Sequence, residues 1–206
     1  MARLLFKSEL ELNFRGERDY IYGPDLFINS IESVFNYFET DLLSKVDFSS
    51  HAMAHQGLDF YLFDSPDEES LDLVQSKLVF THKNIEYFAY LVLNGKTVSQ
   101  RTPYPEEEVF DACILDKENK TIVLRKRTTF LLTDNYTALT KFMHKHIFPD
   151  TNGKWIFVRV IYNEYKIKQK YNELKVVCSK NFSNKFTQNA LFIDGEKIGT
   201  IYFSLI

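Results

Sequence analysis

The sequence contains few cysteines, glycines and prolines and no long apolar run. It contains two cysteines, Cys113 and Cys178, which excludes a disulfide framework and a cysteine-rich metal site. Seven glycines and five prolines are too few for a collagen-like or linker-dominated chain. No apolar run approaches the roughly 20 residues of a membrane span, and the run at residues 4–6 is too short for a signal peptide. We therefore expect a cytoplasmic protein with inert thiols and no membrane association.

Aromatic residues and charge are distributed in an informative way. The chain has 19 Phe, 12 Tyr and 1 Trp, a content that disordered chains lack. The formal net charge of −3 is the sum of two unlike halves: residues 1–108 carry 9 basic and 19 acidic residues (9 − 19 = −10), and residues 109–206 carry 16 and 9 (16 − 9 = +7). This asymmetry indicates either an anionic partner for the second half or mutual attraction of the two halves.

An internal repeat of about 100 residues organises the chain. Each half starts with a strand pattern, at residues 10–18 and 121–127, and continues into an amphipathic helix. The apolar face of the first helix is Phe27, Ile31, Val34, Phe35, Phe38 and Leu42, and that of the second is Tyr136, Leu139, Phe142, Met143 and His146. Pro24 begins the first helix. Thr133 or Asp134 is the expected N-cap of the second, which ends before Pro149 and Gly153.

Several strands follow each helix. They are predicted at residues 58–63, 71–81 and 87–93 in the first half and at 155–162, 174–179 and 190–193 in the second. Asn94-Gly95 and Asp194-Gly195 predict hairpin turns at equivalent places. Residues 101–108 form the natural linker. The sequence thus predicts two repeats, residues 1–108 and 109–206, within one compact unit.

This order of elements resembles the hot-dog fold, and two copies resemble a double hot-dog. The resemblance implies an α+β protein: a tandem hot-dog in which two strand–long helix–antiparallel strand repeats form one continuous sheet around two helices. Hot-dog families act on acyl thioesters of coenzyme A or acyl carrier protein, as thioesterases or β-hydroxyacyl dehydratases. Their sites lie between the repeats near a helix N-terminus, where the helix dipole and free backbone N–H groups polarise the thioester carbonyl.

The segment before the first helix holds the candidate catalytic carboxylates. Residues 19–25, with Asp19, Gly23 and Asp25, loosely resemble the corresponding segment of thioesterases, and a carboxylate there would act as nucleophile or general base. The histidine expected after Gly23 is replaced by Pro24. The alternative is that Asp25 is a first-turn acid stabilised by the helix dipole.

His51 and His55 are the candidate proton-transfer partners. Their i, i+4 spacing would place both on one face of a helix. No glutamate lies between them and no third ligand is near, so we expect no metal. The alternative is a pair of surface-loop histidines. Neither a Walker nor a dinucleotide-binding motif occurs, so no cofactor is expected.

Basic and tyrosine residues are candidates for substrate binding. Arg15, Arg18, Tyr22 and Gly23 lie close to the first helix. Lys166, Lys168 and Lys170 alternate along a predicted strand face, where they would meet coenzyme A phosphates or an acidic carrier protein. The alternative is a solvated strand with lysines blunting its edge. No nucleic-acid-binding motif is present.

Acyl-thioester binding with hydrolysis is the function that the resemblance favours. One alternative is a non-catalytic acyl-binding or scaffold module, which the missing motif histidine supports. Another is a dehydratase or isomerase, although residues 146–149 place the His-x-x-Pro at the wrong end of the helix for that family. The expected partner is an acyl-CoA or acyl-carrier-protein thioester. The sequence is also compatible with a homodimer.

Overall fold

The computed structural model describes residues 2–206 and divides the chain into two compact units. Unit 1 comprises the residues up to Tyr104 together with Glu164–Lys166. Unit 2 comprises Pro105–Asn163 together with Ile167–Ile206. The first break in the chain therefore falls inside the predicted linker. None of the helices formed by residues 2–206 is long and apolar enough to span a bilayer.

Unit 1 is an antiparallel sheet with one long helix. Its elements are β1 (Leu4–Glu9), β2 (Phe14–Arg15), α1 (Gly23–Phe38), β3 (Leu43–Ser50), β4 (Gln56–Phe63), β5 (Val74–His82), β6 (Ile85–Thr97) and β7 (Arg101–Thr102). The five longer strands lie in the order β1–β4–β6–β5–β3, and each neighbouring pair is antiparallel. Strands β2 and β7 form a separate parallel pair.

Helix α1 buries the apolar face that its sequence predicts. Phe27 packs edge-on against Phe48 of β3 with ring centroids 5.6 Å apart, and Phe38 packs against Phe80 of β5 at 6.0 Å. The helix ends earlier than the apolar pattern indicates. Glu39 adopts a left-handed conformation with φ of 50°, so Leu42 lies beyond the helix.

Two strand predictions in unit 1 are wrong. Residues 10–18 do not form one strand, since only Phe14–Arg15 pair there. Asn94-Gly95 does not form a hairpin turn: β6 continues through it to pair Thr97 with Gln56, and the register shifts at this point. The Asn94 side chain donates to Asp59 Oδ1 at 2.9 Å, which holds the residue in the strand. The actual hairpin joins β5 to β6.

Unit 2 consists of antiparallel strands with a long helix of its own. Its elements are α2 (Glu107–Phe110), β8 (Cys113–Asp116), β9 (Thr121–Leu124), α3 (Leu132–Ile147), β10 (Trp155–Tyr165), β11 (Leu174–Phe182), β12 (Phe186–Ile193) and β13 (Glu196–Leu205). The last two residues of β10 belong to unit 1. The strands lie in the order β8–β9–β11–β12–β13–β10. All neighbouring pairs are antiparallel. The predicted Asp194-Gly195 hairpin is confirmed between β12 and β13.

Helix α3 differs from α1 in the chemistry of its buried face. Leu131 occupies its N-cap position without a side-chain hydrogen bond, so the prediction of Thr133 or Asp134 as the cap is wrong. Both residues lie inside the helix and are buried. Buried polar side chains extend along the helix to His144. These groups need hydrogen-bond partners within the protein, because water does not reach them.

The two units share several features and differ in strand order. Helices α1 and α3 each have 16 residues, and an aspartate, Asp25 or Asp134, occupies the third position of each. The last three strands of unit 2 lie side by side in chain order, whereas in unit 1 the last of the five longer strands, β6, lies between β4 and β5. This exchange explains why the hairpin of unit 2 has no counterpart at Asn94-Gly95.

Candidate functional site

An ion pair between a buried carboxylate and a partly buried arginine lies at the start of helix α1. Asp25 is 8% exposed in the first turn. Arg15 holds it with two groups: Nε donates to Oδ2 at 2.8 Å, and Nη2 contacts Oδ1. Such a bidentate guanidinium–carboxylate pair is directional and strong. The structure therefore brings together two predicted site residues, one from the catalytic group and one from the substrate-binding group.

Two tyrosines and a second arginine extend this pair into a cluster. The hydroxyls of Tyr22 and Tyr104 are 3.2 Å apart and hydrogen-bonded. The Arg15 guanidinium lies 5.5 Å from the Tyr22 ring and 5.0 Å from the Tyr104 ring. For Arg18 the corresponding distances are 4.8 Å and 5.3 Å. Two cations thus stack on two aromatic faces, an arrangement that stabilises both arginines. We call Arg15, Arg18, Tyr22, Asp25 and Tyr104 the Asp25 cluster.

Strands β2 and β7 position the cluster. Their parallel pairing places Arg15 beside Thr102, two residues before Tyr104. Arg101 strengthens the arrangement, because its Nη1 donates to the carbonyls of Gly16 at 2.9 Å and Arg18 at 2.7 Å. Residues more than 80 positions apart in the chain are thereby joined at one place.

The N-terminus of α1 offers fewer free N–H groups than the sequence suggests. Pro24 has no N–H, and the N–H groups of Asp25 and Leu26 donate to the Tyr22 carbonyl at 2.9 Å and 3.3 Å. Among the first-turn residues, Gly23 has the N–H group that makes no hydrogen bond within the helix. A carbonyl at this end of the helix would therefore meet one donor together with the positive end of the helix dipole.

The candidate histidines lie in a loop and not on a helix. His51 and His55 follow the end of β3, so the i, i+4 argument for a shared face does not apply. Both are exposed. His55 Nδ1 donates to the backbone carbonyl of Asp19 at 2.7 Å, and His51 Nε2 is 3.2 Å from the Ser49 hydroxyl. The Asp19 side chain is itself exposed.

The candidate lysines also lie outside a strand. Lys166, Lys168 and Lys170 follow the end of β10 at Tyr165 and occupy the connection to β11. The prediction that they alternate along a strand face is therefore wrong. All three are exposed. Because their ammonium groups are exposed to solvent, they can attract an anion over a long range.

A polar groove is formed by residues that immediately precede β2 and β7 in the sequence. It has a volume of about 620 Å³ and lies in unit 1 between residues 9–13 and 96–100. These two segments lead directly into β2 and β7, which carry Arg15 and position Tyr104. Polar side chains line much of it: Glu9, Glu11, Asn13, Lys96, Ser99 and Gln100. Within residues 2–206, no group of three or more His, Cys, Asp or Glu side chains is arranged to hold a metal ion.

Unit 2 contains a separate buried polar cluster around His144. The imidazole is fully buried, with Nε2 3.2 Å from both Asn189 Oδ1 and Thr187 Oγ1. The Asn189 amide nitrogen donates to Thr187 Oγ1 and to the Ile201 carbonyl, which orients the amide oxygen towards the histidine. Because an amide oxygen only accepts, Nε2 carries the proton. Burial lowers the pKa of His144 to about 4, so the ring is neutral at pH 7.

Comparison with solved structures identifies the fold. A tesB protein of Mycobacterium avium subs paratuberculosis matches with a TM-score of 0.53 and 10% identity, over 97% of this chain and 92% of that chain. The fold is the double hot-dog. The dehydratase domain from the CurJ module of curacin polyketide synthase gives a TM-score of 0.45 at 11% identity, over 97% and 91% of the two chains. No protein-family model matches the chain, and no curated protein matches it.

Three residues of the Asp25 and His144 clusters and their surroundings are not predicted by local sequence patterns. Tyr104 appeared only as part of a linker, and nothing local indicates that β2 and β7 pair. Asp134 appeared only as a cap, although aligning the helices of the two repeats places it opposite Asp25. His144 lies two residues from His146, which the sequence had placed on the apolar face. The buried histidine is His144, and His146 is half-buried.

Proposed function

We propose that this double hot-dog protein binds an acyl thioester of coenzyme A or acyl carrier protein at the Asp25 cluster and hydrolyses it. The observation that carries the proposal is the buried Asp25 at the N-terminus of the long helix, held by Arg15. A buried carboxylate at such a position is a candidate catalytic group. The double hot-dog fold supports the substrate class by analogy.

The hydrolytic step would use the groups around the first turn of α1. Asp25 would accept a proton from water as the water oxygen attacks the thioester carbonyl carbon. The negative charge on the carbonyl oxygen would be stabilised by the Gly23 N–H and the helix dipole. The carbon–sulfur bond then breaks, and the thiolate takes the proton back from the Asp25 carboxyl. This step requires a water molecule to donate a hydrogen bond to an Asp25 carboxylate oxygen beside the Arg15 guanidinium.

Charged and polar groups nearby suit the rest of a thioester substrate. The arginines of the Asp25 cluster match phosphate chemistry, since guanidinium groups bind phosphate oxygens in pairs. The polar groove between residues 9–13 and 96–100 suits the amide-rich pantetheine arm better than an acyl chain. Lys166, Lys168 and Lys170 are exposed cations that would attract a nucleotide phosphate or an acidic carrier.

A non-catalytic acyl-binding module is the second candidate. The bidentate Arg15–Asp25 pair favours it, because a carboxylate engaged at both oxygens serves well as an anchor for an arginine. The single first-turn N–H at Gly23 also offers less oxyanion stabilisation than a pair of donors would. His51 and His55 remain proposed proton-transfer partners, and their exposure in a loop favours the module as well.

Hydrolysis of an acyl-CoA chain-length series separates the two candidates. For a thioesterase, Asp25→Asn should lower kcat by about 100-fold or more with little change in KM, because a general base contributes at least that factor. Asp41→Asn is the matched control, since Asp41 is exposed beyond the other end of the same helix. Binding without turnover by the unmodified protein would establish the module. Neither binding nor turnover with any acyl-CoA or acyl-carrier thioester would contradict both.

A further inference from the structure

The tip of the β11–β12 hairpin presents an aromatic ring between two lysines. Phe182 is 52% exposed, and Lys180 and Lys185 on either side of it are also exposed. Residues 175–190 contain three lysines and no acidic residue. We call Lys180, Phe182 and Lys185 the basic tip. Aromatic side chains are enriched in protein–protein interfaces, so this exposed ring between two positive charges is a candidate contact.

The basic tip is held in place before any partner arrives. Phe182 packs on Phe186 with ring centroids 6.0 Å apart, and Phe186 packs on Tyr202 at 5.9 Å. The turn is closed by the Lys185 N–H, which donates to the Phe182 carbonyl at 3.0 Å. Little conformational freedom is therefore lost when the exposed ring is covered, and this lowers the cost of binding.

A segment of unit 1 has the complementary composition. Residues 64–73 contain five acidic residues and no basic one. Glu69 and Asp72 are exposed, and Leu73 beside them is 66% exposed. We call Glu69, Asp72 and Leu73 the acidic segment. Leu73 has a φ of 59°, a left-handed conformation that is unfavourable for a bulky residue and that marks a candidate functional position.

The inner side of the same stretch already covers a lysine and an aromatic ring. Glu68 pairs with Lys77 at 3.1 Å, and the Lys77 ammonium lies 5.6 Å from the ring of Tyr90. The Asp67 N–H donates to the Tyr90 hydroxyl at 3.3 Å. These contacts fix the segment and leave its outer side, the acidic segment, facing solvent.

We propose that the basic tip of one copy of this chain docks on the acidic segment of a second copy. Phe182 would lie against Leu73, and the two lysines would face Glu69 and Asp72. Both apolar side chains are exposed in the folded chain, and residues 2–206 provide no ion-pair partner for these four charged groups. Each copy carries both surfaces, with two charges of one sign matched by two of the other. This supports a second copy as the occupant.

The contact joins unlike surfaces and involves few residues. A contact between unlike surfaces closes into a ring when the rotation allows it and otherwise grows with concentration. So small an interface gives weak association, with a Kd above about 1 μM. Because charges carry much of the complementarity, salt should weaken the association.

Sedimentation of two charge-reversed variants tests the proposal. One chain has a mass of 24.3 kDa. The apparent mass of the unmodified protein should rise as its concentration increases from about 1 μM to about 1 mM, and high salt should abolish this rise. K180E/K185E has an acidic tip as well as the acidic segment. E69K/D72K has a basic segment as well as the basic tip. Each variant alone should raise the dissociation constant by about tenfold or more, and an equimolar mixture of the two should associate again.

A third charge-reversed variant serves as the control. K117E/K126E reverses two exposed lysines elsewhere in unit 2 and should associate as the unmodified protein does. Circular dichroism of every variant verifies that each remains folded. A monomer at all concentrations would overturn the proposal. So would association that survives both reversals, or failure of the mixture to associate when each variant alone has lost self-association.

Discussion

Replacing His144 with glutamine should remove a specific pH dependence of stability. Burial depresses the pKa of this histidine from 6.5 to about 4 in the folded protein. Between those values the unfolded chain binds the proton and the folded protein does not, so stability falls as the pH falls. The 2.5-unit difference corresponds to about 3 kcal/mol by pH 4, of which about 2 kcal/mol is lost by pH 5.

The surroundings of His144 support this assignment. Its ring lies 4.5 Å from Trp155, 5.5 Å from Phe203 and 5.6 Å from Phe148, and its polar neighbours Asn189 and Thr187 are uncharged. No carboxylate among these neighbours stabilises the imidazolium, and the apolar rings disfavour it.

Urea unfolding of the unmodified protein and His144→Gln from pH 7 to pH 5 measures the effect. Glutamine retains an N–H near the position of Nε2 but does not titrate. Carboxylate titrations common to both proteins cancel in the difference. The stability advantage of the unmodified protein should shrink by about 2 kcal/mol over this range. Lys145→Gln, an exposed neighbour on the same helix, should show no such change. A His144→Gln difference that stays constant within about 0.5 kcal/mol would refute the reasoning.

Three further substitutions test the packing. Tyr136→Phe removes the partly buried 2.8 Å hydrogen bond from the Tyr136 hydroxyl to the Phe192 carbonyl of β12 and should cost about 1–2 kcal/mol in urea unfolding. Gly199→Ala places a Cβ against the carbonyl oxygen of Ile161 in β10 and should lower stability by about 2–3 kcal/mol. Arg15→Ala strands the buried carboxylate of Asp25 and should cost about 3 kcal/mol, part of which a second change, Asp25→Asn, should restore in a double-mutant cycle.

Each of these has an outcome that would count against it. Lys197→Ala on the exposed end of β13 is the control for Gly199→Ala and should be nearly neutral. A neutral Gly199→Ala would mean that β10 and β13 are further apart than the structure places them. Equal losses for Arg15→Ala with and without Asp25→Asn would mean that the pair is not coupled.

Local sequence patterns predicted the features that depend on neighbouring residues, namely the long helices and one hairpin. The apolar spacing of Phe27, Ile31, Val34 and Phe35 requires one buried helix face, and Pro24 marks where that helix begins. The hairpin at Asp194-Gly195 was predictable because both residues accept positive φ.

Long-range pairing escaped prediction because no local signal specifies it. Asn94-Gly95 has the same chemistry as a turn, but β4 extends far enough to pair beyond it and keeps the chain in a strand. Tyr104 reaches the Asp25 cluster only through the pairing of β2 with β7. The arginine–carboxylate contact likewise depends on tertiary structure, although both of its residues were predicted as site residues.

A crystal structure with a non-hydrolysable acyl-CoA thioether tests the central claim most directly. The proposal predicts the acyl portion next to the sulfur beside Gly23 and Asp25, with phosphate or pantetheine groups near Arg15, Arg18 or the polar groove. An analogue bound elsewhere on the chain, or no binding at saturating concentration, would contradict it.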